Sequence, residues 1–308
     1  MQNHTVYDML IVGGGPGGYT AALYAARSGL RVLVLEKLSA GGQMALTHQI
    51  DNYPGFPEGI DGFELGEKMQ AQAEQFGAQT EYTQVLSAEL SVDPKVLHTD
   101  IGDFYGQTIV IATGADPKKL GLPKEESLVG KGVAYCAACD GQFYKGKTVA
   151  VVGGGNSAAA DALLLSRVAK KVYLVHRRDS LRADKASAEP LYKAKNVEFV
   201  WNSAVTELLS EEKLTGLNLQ NIHTGERSHL PVEGVFISIG RDPVTGFISD
   251  QLALDPSGYI PAGDDTATAI AGVYAVGDVR TKTLRQIVTA VADGAQAVHA
   301  AENYLAAK

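Results

Sequence analysis

Cys136 and Cys139 are the only cysteines in 308 residues. They stand three positions apart in the run Cys136-Ala137-Ala138-Cys139-Asp140-Gly141. A pair at this spacing can close as a disulfide and open as a dithiol. At a helix start, the N-terminal thiol is acidified by the helix dipole and by free N–H groups that favour thiolate. Two buried small hydrophobes are the plain alternative, and the spacing argues against it. Asp140 is either an ordinary acid of a first helical turn or a group that passes a proton to a leaving thiolate; position alone does not choose. A zinc site would want about four Cys or His ligands at suitable spacing. The seven histidines, His4, His48, His98, His176, His223, His229 and His299, are scattered and form no such set with the pair.

Two glycine-rich turns flank the cysteines, each fed by an apolar run and followed by a helical pattern. In the first, Gly13 permits the tight turn, Gly15 lets backbone approach a pyrophosphate, and Gly18 lets helix and strand pack. Gly153, Gly155 and Ala158 occupy the same places in the second. Eighteen residues separate Gly18 from Glu36, and again Ala158 from His176, so the units are built alike. They differ in the residue that reaches the ribose. Glu36 accepts hydrogen bonds from ribose hydroxyls, whereas His176-Arg177-Arg178, with Arg182, suits a 2′-phosphate that needs neutralising and bidentate donors. The plain alternatives are an empty glycine turn in an α/β sheet, a solvated cationic helix entry, and a packed or surface imidazole at His176.

The elements that must hold these groups are legible from apolar runs and breakers. Strands are expected at 7–13, 31–36 and 107–113, and helices at 16–28, 62–76 and 285–305. The strand-turn-helix-strand order repeats over 147–175, and 272–278 reads as a strand ending in Gly-Asp. Gly/Pro-containing segments at 114–117 and 240–246 punctuate the chain. The fold class expected is therefore α/β, with two Rossmann-like, three-layer dinucleotide-binding domains. One domain comes from both chain ends (1–116 and 246–308), and the other (117–245) is inserted into it and carries the cysteine pair. The chain is 45% hydrophobic and 20% charged, with 27 Lys+Arg against 35 Asp+Glu and a net charge of −8. That balance suits a globular protein and disfavours nucleic acid or anionic membrane as partner. No basic n-region leads an apolar stretch at the N-terminus, and a cytoplasmic location is expected, where a lone cysteine pair is seldom a structural disulfide.

Taken jointly, the motifs resemble those of the low-molecular-weight thioredoxin reductases, from Tyr7 to the C-terminus. They are Gly13 to Gly18, Gly41-Gly42-Gln43, Ala112-Thr113-Gly114, Cys136 to Gly141, Gly153-Gly154-Gly155-Asn156-Ser157-Ala158, His176 to Asp179, Gly277-Asp278-Val279 and Arg285-Gln286. The resemblance implies FAD in the discontinuous domain, held by Gly13, Gly15, Pro16, Gly18, Glu36, Gly42, Gln43, Asn52, Thr113, Gly114, Asp278, Arg285, Gln286 and Ile287. It implies NADPH on the inserted domain, at Gly153, Gly155, Asn156, Ser157, Ala158, His176, Arg177, Arg178 and Arg182. By the same likeness Cys139 faces the flavin, Cys136 attacks the disulfide of thioredoxin, the domains swivel about the two linkers, and the protein is a homodimer.

Two positions depart from the family pattern. Paired acids common in the second unit's helix are Ala160 and Asp161 here, and Gln142 stands where an apolar or aromatic residue often follows Asp-Gly. Three other readings compete. A related flavin disulfide reductase would serve another redoxin or a peroxidase component. A flavin dithiol oxidase would have no need of Arg177 and Arg178. A nucleotide-dependent redox sensor would not turn over.

Overall fold

The computed structural model describes residues 5–47 and 49–308, so His4 and His48 of the scattered histidines lie outside it. The chain forms two compact units. One runs up to Asp116 and resumes over Asp242–Lys308; the other is Pro117–Arg241. The second crossing thus falls at Arg241/Asp242, four residues before the boundary read from the Gly/Pro segment.

The first unit contains β1 (Val6–Val12), α1 (Pro16–Arg27), β2 (Val32–Glu36), α2 (Gly62–Gln75), β3 (Gln79–Tyr82), β4 (Val85–Glu89), β5 (Lys95–Thr99), β6 (Gly102–Ile111) and β7 (Ala115–Pro117). Its sheet runs β3-β2-β1-β6-β5-β4. β1 pairs in parallel with β2 and β6, and β5 is antiparallel to both β4 and β6. Side chains of a strand alternate between faces, so β1 feeds two cores. Met9 and Ile11 pack with the small face of α1 (Ala21, Ala22, Ala25), while Leu10 and Val12 pack on the other side with Leu97, Ile109 and Ile248.

The second unit adds β8 (Val133–Ala134), α3 (Ala137–Asp140), β9 (Thr148–Val152), α4 (Asn156–Ser166), β10 (Lys171–Val175), α5 (Lys185–Lys193) and β11 (Val197–Val200). There follow β12 (Ser203–Ser210), β13 (Leu214–Asn221), β14 (Arg227–Pro231), β15 (Gly234–Ile237) and β16 (Arg241–Pro243). A parallel sheet, β11-β10-β9-β15-β8, is accompanied by an antiparallel one, β12-β13-β14. Val149 and Val151 face a core with Ala158, Ala162 and Leu165, while Ala150 and Val152 face one with Leu208, Leu217 and Leu219. β7 and β16, the segments by which the chain leaves and re-enters the first unit, pair with each other.

β17 (Val273–Ala275) then joins β6 in parallel, and α6 (Ile287–Ala306) packs on α1. Small residues set how closely those helices meet. A Cβ at Gly294 would lie 2.4 Å from the Gly17 carbonyl oxygen. β6 starts five residues earlier than the apolar run suggests, because its half-exposed first part is secured by antiparallel pairing to β5 rather than by burial. Among the described residues no helix is long and apolar enough to cross a membrane.

Candidate functional site

In the first unit, the turn between β1 and α1 is shaped by close approach. Gly13 has φ +104°, and a Cβ there would stand 2.6 Å from Ala112 O; one at Gly18 would stand 1.9 Å from Gly13 O. Gly15 is the opposite case. It is the N-cap of α1 with Pro16 behind it, offers no side-chain cap, and a Cβ there would meet nothing within 4 Å. The helix therefore presents free N–H groups and a positive dipole end to open space, as an anion requires. Helices α2 and α5, by contrast, are capped by Asp61 and Asp184.

The other first-unit residues gather around this turn or around the start of α6. Glu36 is buried, with Oε2 accepting from Gly14 N at 2.6 Å and Oε1 from Leu38 N at 3.0 Å. Those bonds aim the carboxylate and leave each oxygen a further lone pair for a hydroxyl donor. Gly42 lies against Gly15, with its would-be Cβ 3.5 Å from Gly15 Cα. Gln43 donates to Asp116 at 2.8 Å, and Thr113 to Val244 O at 2.7 Å, one residue before the Gly114 turn. Asn52 Nδ2 donates to Gln286 Oε1 at 3.0 Å, tying the loop after Gly42 to the N-cap of α6. Ile287 packs on the small core of Met44, Ile50, Ile60 and Leu65. Arg285 sits 4.2 Å over the Tyr259 ring, and its buried Nε has no hydrogen-bond partner.

One residue here was not legible beforehand. Asp293 on α6 accepts from Gly277 N at 2.9 Å, Arg280 Nη1 at 2.9 Å and Lys282 Nζ at 2.7 Å, all largely buried. It clamps the turn carrying Asp278 to the helix whose N-terminus carries Gln286. An acid amid the Ala, Val and Gly of that helix was the available signal.

In the second unit the same turn recurs. A Cβ at Gly153 would meet Ser238 O at 2.4 Å, whereas one at Gly155, the uncapped N-cap of α4, would meet nothing within 4 Å. Ala158 is fully buried under the sheet, while Ser157 is exposed. Gly154 O accepts from Arg182 N at 2.7 Å, and Asn156 Oδ1 from Asp184 N at 2.9 Å, so the cationic segment is folded back onto the turn. His176 is buried, its ring where a side chain on Gly154 would otherwise go, and its Nε2 is unpartnered. Burial pushes its pKa down, and the charges of Arg182, Arg178 and Arg177 push it further. The three arginines are exposed and make no ion pair among the described residues. Asp161, on α4, accepts from Ser238 Oγ at 2.5 Å; burial raises its pKa, against that hydrogen bond and the charge of Arg241.

Cys136 and Cys139 form a disulfide. Cys136 is the N-cap of α3, and its Sγ accepts from Cys139 N at 3.2 Å, an arrangement suited to stabilising a thiolate at that sulfur. Burial raises the Asp140 carboxyl from 3.8 to about 6, within reach of neutral pH as a proton donor. Gln142 and Phe143, directly after, are exposed.

Residues 7–294 match the family model described as pyridine nucleotide-disulphide oxidoreductase. The thioredoxin reductase of Streptomyces coelicolor is 46% identical over 98% of this chain and 95% of its own. That of Treponema pallidum is 42% identical over 98% of both. The chain belongs to the thioredoxin reductases. The crystal structure of the Streptococcus pyogenes member superimposes with TM-score 0.92 at 43% identity, over 99% of this chain and all of that one. A Giardia duodenalis thioredoxin reductase gives TM-score 0.92 at 35% identity over 98% of this chain. This is an oxidoreductase family that binds flavin and pyridine nucleotide, and the paired Rossmann-like units and redox-active cysteines accord with it.

Proposed function

We propose that this chain reduces the disulfide of thioredoxin with electrons from NADPH, passed through FAD and the Cys136/Cys139 pair. The observation that carries the reading is the disulfide between the chain's only cysteines, at a helix start beside a carboxyl held near neutrality. FAD belongs to the first unit, its pyrophosphate at Gly13–Gly18, its ribose on Glu36, and Gly42, Gln43, Asn52, Thr113, Gly114, Asp278 and Arg285–Ile287 around it. The open N-cap at Gly15 and the orphaned Arg285 Nε fit such a group. NADPH belongs on the second unit, its pyrophosphate at Gly153–Ala158 and its 2′-phosphate at Arg177, Arg178 and Arg182, beside His176.

Bound FAD would supply two-electron transfer between NADPH and the Cys136–Cys139 disulfide. The chain's own groups do the rest. The Cys136 thiolate attacks one thioredoxin sulfur, forming a mixed disulfide and expelling a thiolate that Asp140 protonates. Cys139 then attacks Cys136 Sγ, which releases dithiol thioredoxin and restores the 136–139 bond. Alternation of nicotinamide and dithiol at the flavin is assigned to rotation about the paired linker strands. The family likeness also supports a homodimer in the cytoplasm.

Anaerobic mixing of the purified protein with NADPH, NADH and oxidised thioredoxin tests this. Flavin bleaching by NADPH followed by thioredoxin-dependent recovery is expected. A colourless protein that still turns over, or retained thioredoxin turnover in Cys136→Ser or Cys139→Ser, would overturn it.

A further inference from the structure

Glu125 is 2% exposed, yet no cation pairs with it among the described residues. Four donors satisfy its carboxylate instead. Oε1 accepts from Leu120 N at 2.9 Å and from the Tyr135 hydroxyl at 2.7 Å; Oε2 accepts from Gly121 N at 2.8 Å and Leu122 N at 3.1 Å. Three of these bonds pin the loop that follows β7. The fourth pins the residue immediately before Cys136. Tyr135 is suited to the task, because burial and the neighbouring carboxylate push its phenol pKa well above the usual range and keep it a donor.

The need for such a tether follows from the strand that leads to the cysteines. β8 has two residues, Val133 and Ala134, both paired with β15; on the other side only Val133 is held, by a bridge to Val129 in which Gly130 N donates to Val133 O at 3.1 Å. The pairing ends at Ala134, so it fixes little of the backbone at Tyr135 and Cys136. Cys136 must nevertheless sit with its sulfur on the Cys139 N–H, a weak, directional bond that loses strength with small displacements.

We propose that Glu125 and Tyr135 are positioning residues for the redox-active pair: the buried carboxylate anchors the Tyr135 side chain and so holds Cys136 as the N-cap of its helix. Neither residue touches the reacting sulfurs. They act through the backbone between Tyr135 and Cys136, and through them the loop after the outgoing linker strand and the dithiol share one anchor. The inference rests on the reading of Cys136 as the attacking thiolate.

The test isolates that thiol. In full-length, flavin-loaded Cys139→Ser, Cys136 is the sole thiol, and its iodoacetamide alkylation rate against pH reports its own thiolate fraction. Asp140 is the other titrating group of this helix and is left in place throughout. Adding Tyr135→Phe should move the midpoint of the profile upward, with about three- to tenfold less thiolate on its rising limb and an unchanged plateau, as expected for weakening one charge-assisted cap. Glu125→Gln should move it in the same direction and further. If Glu125→Gln fails to fold, Tyr135→Phe decides alone, since it removes one oxygen from a half-buried ring. A Tyr135→Phe profile that superimposes on the parent, or a changed plateau with an unmoved midpoint, overturns the proposal. The assay involves no nicotinamide or thioredoxin, so failure of the proposed electron route would appear separately, in turnover.

Discussion

Replacing Asp140 by Asn exposes both what burial costs this chain and what it provides. Burial sets the Asp140 carboxyl at about 6 where an ordinary one sits at 3.8. At pH 7 the neutral acid is then about one molecule in ten, instead of roughly one in 1,600, a gain of about two decades in available proton donor. Asp140→Asn should therefore lower thioredoxin reduction by about a hundredfold at pH 7, within the range of general acid catalysis. Reduction of the flavin by NADPH should not change. The same shift dictates a stability effect of definite sign. Well below 3.8 the acid is protonated folded and unfolded and costs nothing; as pH rises through 3.8 toward 6 the unfolded chain ionises first and stability is lost; above 6 the loss is complete. The raised value corresponds to about 3 kcal/mol at pH 7. The amide, which cannot ionise, should thus be more stable than the parent at pH 7 by up to that amount, with the gap closing toward pH 4. Urea melts of the two oxidised proteins at pH 4, 5, 6 and 7 measure it. A gap that stays constant with pH, or opens toward acid, would refute the assignment of a buried, raised carboxyl.

Other outcomes follow from the same geometry. Gly15→Ala should leave the melting temperature of the flavin-free protein within about 1 °C, because its Cβ meets nothing, yet it should weaken FAD binding in fluorescence titrations. Gly18→Ala, with a Cβ 1.9 Å from Gly13 O, should instead lower the melting temperature itself. Arg177→Ala with Arg178→Ala should cut the NADPH/NADH ratio of kcat/KM by one to two decades, from roughly 1.5–3 kcal/mol per lost charged hydrogen bond, and an unchanged ratio would remove the 2′-phosphate assignment. His98 is bonded to Asp103 at 2.8 Å and Glu89 at 3.2 Å; these contacts, Asp103 first, raise its pKa. Its stabilisation of the β4-β5-β6 meander should be complete below about pH 6.5 and lost as pH climbs through the raised value. Hydrogen exchange along Lys95–Thr99 should show that dependence, and His98→Asn should abolish it.

The α/β fold class, the repeated strand-turn-helix step and the cysteine pair were readable along the chain. Two glycine-rich turns, an acid eighteen residues after the first and a cationic run eighteen residues after the second, and one cysteine pair are local signals. Each reflects a constraint acting within a turn or a strand-helix step, which is why β1-α1-β2 and β9-α4-β10 stood at nearly the expected bounds. β4, β5, the first half of β6 and the sheet β12-β13-β14 were not legible, because half-exposed antiparallel strands are secured by partners across the sheet more than by their own apolar pattern. Other placements depend on contacts made only on folding. Asp293 reads as a stray acid in a helix of small residues until Gly277, Arg280 and Lys282 converge on it. His176 reads as ambiguous until its ring is found filling the space over Gly154. Glu125 reads as one surface acid among several until three amides and a phenol close around it. A buried polar group is defined by the donors and acceptors that surround it, and those come from segments the chain brings together only on folding.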